Sequence, residues 1–163
     1  MDNEIRARLE EIIKRNSANT KVKPELEVEV TSDTNEVISD TDKKSSCNEW
    51  VKLLLHSRDQ AHLWHLQTRT YAEHIALNSY YDAVLLLMDS LLETLISEGG
   101  RPEGGFVIEL ANYSDGAASH HLTELVNNIT ELRKGLPNRT DIQNICDEII
   151  ALANKTKYLL TLK

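Results

Sequence analysis

His62, His74, Asp89 and Glu93 are the residues of this chain whose types and spacing best suit chemistry. Imidazole nitrogens and carboxylate oxygens are the donors a divalent first-row metal takes, and the carboxylates also cancel its charge. His62 and His65 are three residues apart, and Asp89 and Glu93 four, so on helices each pair projects from one side. At 3.6 residues per turn His74, Asn78, Asp82, Asp89 and Glu93 fall within a sector of roughly 100°. Apolar Leu85, Leu86, Leu92 and Ile96 lie among them, which suggests donors converging near a bundle core. His65, Asn78 and Asp82 are therefore secondary candidates, and no catalytic group separate from the metal ligands is expected. Each fragment also has a plainer reading. An Asp-x-x-x-Glu is a common solvated helix face, and His62 with His65 makes an ordinary surface pair beside Trp64. His56, His120 and His121 have no obvious partners and are given no role.

These residues need helices to position them, and the pattern supplies four. Apolar positions predict a first helix over Cys47 to Thr68 (Val51, Leu54, Leu55, Leu63 and Leu66) and a second over Tyr71 to Glu98. Gly99-Gly100-Arg101-Pro102 stops the second. A looser stretch follows, with room for a short helix within 109–116. A third helix is expected over Ala117 to Lys134, ended by Gly135 and Pro137. A fourth, over Asp141 to Leu162, is expected to bury Ile142, Ile145, Ile149, Ile150, Leu152, Leu159 and Leu160. Three Ser/Thr-x-x-Glu/Gln capping boxes, Ser46…Glu49, Thr70…Glu73 and Thr140…Gln143, mark starts. Four long helices with almost no strand signal mean an all-α bundle. The long link between helices two and three lets the chain cross the bundle, as in ferritin-like folds.

Residues 1–45 read as a charged arm or linker, with Ile5, Leu9, Ile12 and Ile13 at helical spacing and a brief alternation at Leu26–Val30. Such a segment orders on a protein partner more readily than it folds alone. The bundle domain is 46–163. The chain carries 26 acidic and 18 basic side chains, a formal net charge of −8. This balance disfavours strong DNA binding, which needs cations to neutralise phosphates, and an anionic membrane surface. No apolar run approaches the roughly 20 residues of a membrane span, and no secretory signal is visible. Cys47 and Cys146 are read as reduced thiols. A cytoplasmic protein, or one associated with a larger assembly such as a virion, is expected.

From Ala61-His62 to Gly99-Gly100 the spacing resembles the Dps family of mini-ferritins. An Ala-His near the end of the first helix is followed twelve residues later by His74. Asn78 comes four further on, Asp89 eleven beyond it and Glu93 four after that, without a gap. Lys155-Thr156-Lys157-Tyr158-Leu159-Leu160 is similar to the family's last helix. The resemblance implies a homo-oligomer, commonly a dodecameric shell, that oxidises Fe(II) and stores ferric iron. His62 and His74 would come from one subunit, Asp89 and Glu93 from its neighbour. The donors suit iron, and accept zinc or manganese as readily. The sequence departs from the family at Asn78, where an Asp is usual, at Trp64, which lies two residues after His62 rather than directly after it, and at Gln67-Thr68-Arg69-Thr70, which replaces a glycine-containing turn. The lysine-rich, DNA-binding tail is replaced by the acidic arm. Asn78 and the arm favour the alternative, a catalytically degenerate ferritin-like structural or interaction protein whose arm docks on a larger assembly.

Overall fold

The computed structural model describes residues 40–162, with side chains from Cys47 onward. The expected helix within residues 2–15 and the alternation at Leu26–Val30 lie outside the described residues, as does nearly all of the arm. Four α-helices follow in order: α1 Asp40–Gln67, α2 Tyr71–Ser97, α3 Ala117–Leu132 and α4 Thr140–Leu159, with a 3-10 turn at Arg133–Gly135 before α4. No strand occurs among the described residues. The described residues form an all-α helical bundle.

The apolar spacing explains the packing. On α2 the buried residues Leu77, Tyr80, Val84, Met88, Leu91 and Leu95 recur every three or four positions, one stripe of a helix. They meet Trp50, Leu54 and Trp64 of α1, Leu122, Leu125 and Ile129 of α3, and Ile142, Cys146 and Ile149 of α4. α2 packs on α1 and α4, and α3 packs on α4 and α1, so the helices form a ring in the order α1, α2, α4, α3. By length and composition α2 could cross a membrane, contrary to the reading of its sequence. One stripe of it closes the bundle core, and the opposite face exposes Asp82, Asp89 and Glu93. Cys47 and Cys146 are buried and free, and burial pushes both thiols up from their ordinary value.

The long link between α2 and α3 is an extended strap rather than the short helix anticipated within 109–116. α2 ends in a Schellman motif: Gly100 N–H donates to Leu95 O and Gly99 N–H to Ile96 O, with Gly99 at φ 96°. The strap then runs along α1, held by amide side chains. Asn48 Nδ2 donates to Glu103 O (3.2 Å) and Asn48 Oδ1 accepts from Glu103 N (3.0 Å). Gln60 makes the same double contact with Ala111, at 2.8 and 2.7 Å, and Gln67 Oε1 accepts from Tyr113 N. Contacts rise in number on both segments together, so the strap runs parallel to α1 and delivers α3 at the end where α1 finishes. All neighbouring helices in the ring are therefore antiparallel.

Of the three capping boxes none forms as expected. Ser46 lies inside α1, which already includes Asp40. Thr70 does precede α2, but its hydroxyl donates to the Glu73 carboxylate (2.8 Å) instead of capping backbone N–H groups. Thr140 is the first residue of α4, and Gln143 is drawn away: its Oε1 accepts from Arg133 Nε at 2.8 Å. Leu66, expected in the core, is 69 % exposed because Trp64 and His65 fill the interior at that end. Ile142 and Ile149 are fully buried in α4, whereas Ile145, Ile150, Leu152 and Leu160 pack half-buried around the core, and Leu159 is half-buried outside that cluster.

Candidate metal centre

The Thr68-Arg69-Thr70 turn folds the end of α1 against the start of α2 and stacks three histidines there. Thr68 N–H donates to Trp64 O (2.8 Å) and His74 N–H to Thr70 O (3.0 Å). His65 and His74 then face each other with ring centroids 3.8 Å apart and planes 25° from parallel. His65 Nδ1 lies 3.0 Å from His74 O, and His74 Nδ1 lies 3.0 Å from His65 O. A carbonyl oxygen only accepts, so each Nδ1 carries the proton. When the rings are neutral, each Nε2 holds the lone pair, the form that ligates metals. His62 stacks on Tyr81 (4.4 Å, 28°), with its ring 6.2 Å from that of His65. Tyr81, not singled out by sequence, also lies edge-on to His65 at 5.3 Å.

The carboxylates are elsewhere. Asp89 and Glu93 follow His74 on α2 by 15 and 19 residues, roughly 22 and 28 Å along the axis at 1.5 Å per residue. They do not meet the histidines within one chain. Among the described residues no three His, Cys, Asp or Glu side chains converge on a metal-sized site. Nor does the polar sector of α2 point into the core. Asp82, Asp89 and Glu93 are exposed, while His74 and Asn78 are half-buried at the α1 edge. Core positions at these levels belong to Leu77, Val84 and Leu91 instead.

Asn78 has its amide occupied at both ends. Its Oδ1 accepts from Tyr81 OH (2.9 Å), and its Nδ2 donates to Asp82 Oδ2 (3.0 Å). The outward face of α2 is mixed: Tyr71, Ile75 and Leu86 are 80, 45 and 72 % exposed. With Asp82, Asp89 and Glu93 they occupy a sector of roughly 60° at 100° per residue.

A second polar group, given no role from sequence, lies deeper. Ser57 is fully buried, and its hydroxyl is 2.6 Å from Tyr80 OH and 3.3 Å from His121 Nε2. His121 touches His56 and Trp64 edge-on, at 5.2 and 5.4 Å. Burial, reinforced by His56 and His120, lowers its pKa to about 4, so the imidazole is neutral near pH 7. Helical spacing gave no signal for this group, because its members come from three helices.

No curated protein matches the chain, and neither does any solved structure. A family model does match, over residues 65–160, more than half of the chain. That span holds His65, His74, Asn78, Asp82, Asp89 and Glu93; His62 lies just before it. The chain thus belongs to DUF5856, a family of unknown function.

Proposed function

We propose that this protein is a Dps-like, ferritin-like metal-binding bundle whose site is completed between two copies of the chain. His62 and His74 of one copy would join Asp89 and Glu93 of another to hold iron, open to oxidation from Fe(II) and storage as ferric oxide. The observation that carries this reading is the separation of the two half-sites on α2. Pinned imidazoles sit at one end, and exposed carboxylates with no ion pair among the described residues lie roughly 22–28 Å away. A second α2 packed antiparallel across the outer face, with its two-fold axis near Asp82, would superpose one end on the other. Tyr71, Ile75 and Leu86 supply the exposed apolar surface that such an interface would cover. The donor set fits: imidazoles with Nε2 lone pairs and ionised carboxylates are ligands for iron, and equally for zinc or manganese.

The occupied amide of Asn78 favours a second reading. With both of its ends bonded to Tyr81 and Asp82, and His62 stacked on Tyr81, this edge resembles a hydrogen-bonded interface more than a ligand cage. On that reading the protein is a catalytically degenerate structural or interaction bundle, and its first 45 residues meet a protein partner.

Anaerobic Fe(II) titration followed by air or peroxide separates the two. Saturable binding by the wild type, lost in the H62A/E93A double variant, together with an oligomeric mass in light scattering, supports the metal site. Oxidation at the same rate in both proteins, or a monomer at all concentrations, would remove the intersubunit site and leave the structural reading.

A further inference from the structure

Away from the histidine stack, the strap is held to α1 at two places. Its double amide contacts, Asn48 with Glu103 and Gln60 with Ala111, fix both ends of a segment. Along α1 the anchors are twelve residues apart, about 18 Å of helix. Along the strap they are eight residues apart, up to about 26 Å of extended chain. The strap therefore has slack over the helix, and Gly104, at φ 88°, lies within this stretch. Between the strap and α1 is a cleft of about 420 Å³ lined by Lys52, His56, Val107, Ile108 and Glu109. That volume falls in the range of small-molecule sites, roughly 300–1,000 Å³.

The lining has a definite chemistry. Lys52 and His56 come from the α1 side, and Glu109 with Val107 and Ile108 from the strap. Lys52 and Glu109 carry opposite charges, yet neither forms an ion pair among the described residues. His56 is braced edge-on by the half-buried His121 ring. One cation, one anion, one imidazole and an apolar wall around one cleft are complementary to a small molecule bearing both charges.

We propose that this cleft binds a free α-amino acid with an aliphatic side chain. Its carboxylate pairs with Lys52 and accepts a hydrogen bond from His56; its ammonium pairs with Glu109, and its side chain covers Ile108. The site is separate from the histidine stack and does not depend on metal binding.

Isothermal titration of the full chain with L-leucine tests it, with isovalerate (no ammonium) and isoamylamine (no carboxylate) as half-charged analogues. Saturable leucine binding is expected at about 0.1–1 mM, with each analogue at least about tenfold weaker. Lys52→Met should weaken leucine but not isoamylamine, and Glu109→Gln should weaken leucine but not isovalerate. Both side chains are exposed, and far-UV circular dichroism verifies that the variants fold. In the wild type, leucine should also shift the His56 ring resonances, a readout that needs no variant. No saturation by about 20 mM, leucine binding unchanged in both variants, or analogues as tight as leucine would overturn the proposal.

Discussion

His65 and His74 hold each other: each ring donates its Nδ1–H to the other residue's backbone carbonyl, 3.0 Å in both directions, and the rings stack at 3.8 Å. The pairing closes the α1–α2 hairpin with side chains in place of a longer turn. Its symmetry has a chemical consequence. Both rings are fixed as the Nδ1–H tautomer, so any added proton or metal must go to Nε2.

Removing one ring deletes one of the two hydrogen bonds and the stacked face, because the backbone carbonyl of the substituted residue remains to accept from the other ring. His74→Ala removes the donor to His65 O and strips the stacked surface from His65. Net hydrogen bonds contribute about 0.5–1.5 kcal/mol each, so with the lost stacking the variant should be less stable by about 1–2 kcal/mol in urea denaturation. His74→Gln, which retains a donor in the side chain, should recover part of that. Equal losses in the two variants would mean that the stack, and not the hydrogen bond, holds the hairpin.

Asn78 tests the metal reading through stability. Asn78→Asp keeps an acceptor for Tyr81 OH but sets a second carboxylate beside Asp82 in place of a donating amide. Like charges one helical turn apart destabilise by a few tenths of a kcal/mol. In metal-free buffer the variant should therefore melt slightly below wild type. With Mn(II) or Zn(II) added the order should reverse, since the new carboxylate is an additional oxygen ligand. Thermal melts with and without metal show the crossing, and parallel curves would count against a metal at this edge.

How far the sequence could be read depended on whether a feature was periodic. α2 was legible because Leu77, Tyr80, Val84, Met88, Leu91 and Leu95 repeat at helical spacing and bury one stripe. The Gly99-Gly100 stop was legible because a Schellman turn needs positive φ at its first glycine. The capping boxes misled because the same side chains had better partners elsewhere, as Gln143 does in Arg133. Spacing on α2 correctly grouped Asp82, Asp89 and Glu93 on one face, but their apolar neighbours wrongly suggested that this face turned toward the core. Leu77 and Leu91, the core residues, settle that it turns out. The Ser57–Tyr80–His121 group and the strap's amide anchors join residues 23 to 64 positions apart, beyond any local pattern.

Glu73 makes the strap sensitive to acid. One oxygen of its carboxylate accepts hydroxyl hydrogen bonds from Tyr113 (2.6 Å), Thr68 (2.7 Å) and Thr70 (2.8 Å). Partial burial alone would raise its pKa, but these three donors together outweigh it and hold the group below its ordinary value. A carboxyl with a lowered folded pKa contributes stability above its unfolded pKa of about 4.3 and loses it as pH falls through the folded value. Protonation therefore loosens Tyr113 and the end of the strap. Protection of the Tyr113 amide, its exchange relative to the intrinsic rate at the same pH, should fall in the wild type as pH drops below the ordinary carboxylate value of about 4.3. Glu73→Gln should show the reduced protection already at pH 7. Exchange that is the same in both proteins at pH 7 would show that Glu73 does not anchor the strap.

His121 gives the bundle core its own acid limit, at a higher pH than Glu73. Burial is the main cause of its low pKa, with His56 and His120 adding to it, and the value falls from 6.5 to about 4. Between these values the unfolded chain binds a proton that the folded chain excludes, so stability rises with pH across the window. Equivalently, stability is full above about pH 6.5 and drains as pH falls toward 4. The fall from 6.5 to about 4 corresponds to at most about 3–4 kcal/mol. His121→Phe removes the titrating group while keeping an aromatic ring against Trp64, and Ser57 keeps Tyr80 as its hydrogen-bond partner. Urea midpoints followed from pH 7 to pH 4 should therefore fall more steeply in the wild type than in the variant. Both curves still share the acid loss that comes from Glu73 and the other carboxylates. Parallel midpoints over this window would mean that His121 gains a proton in the folded bundle as easily as in the unfolded chain.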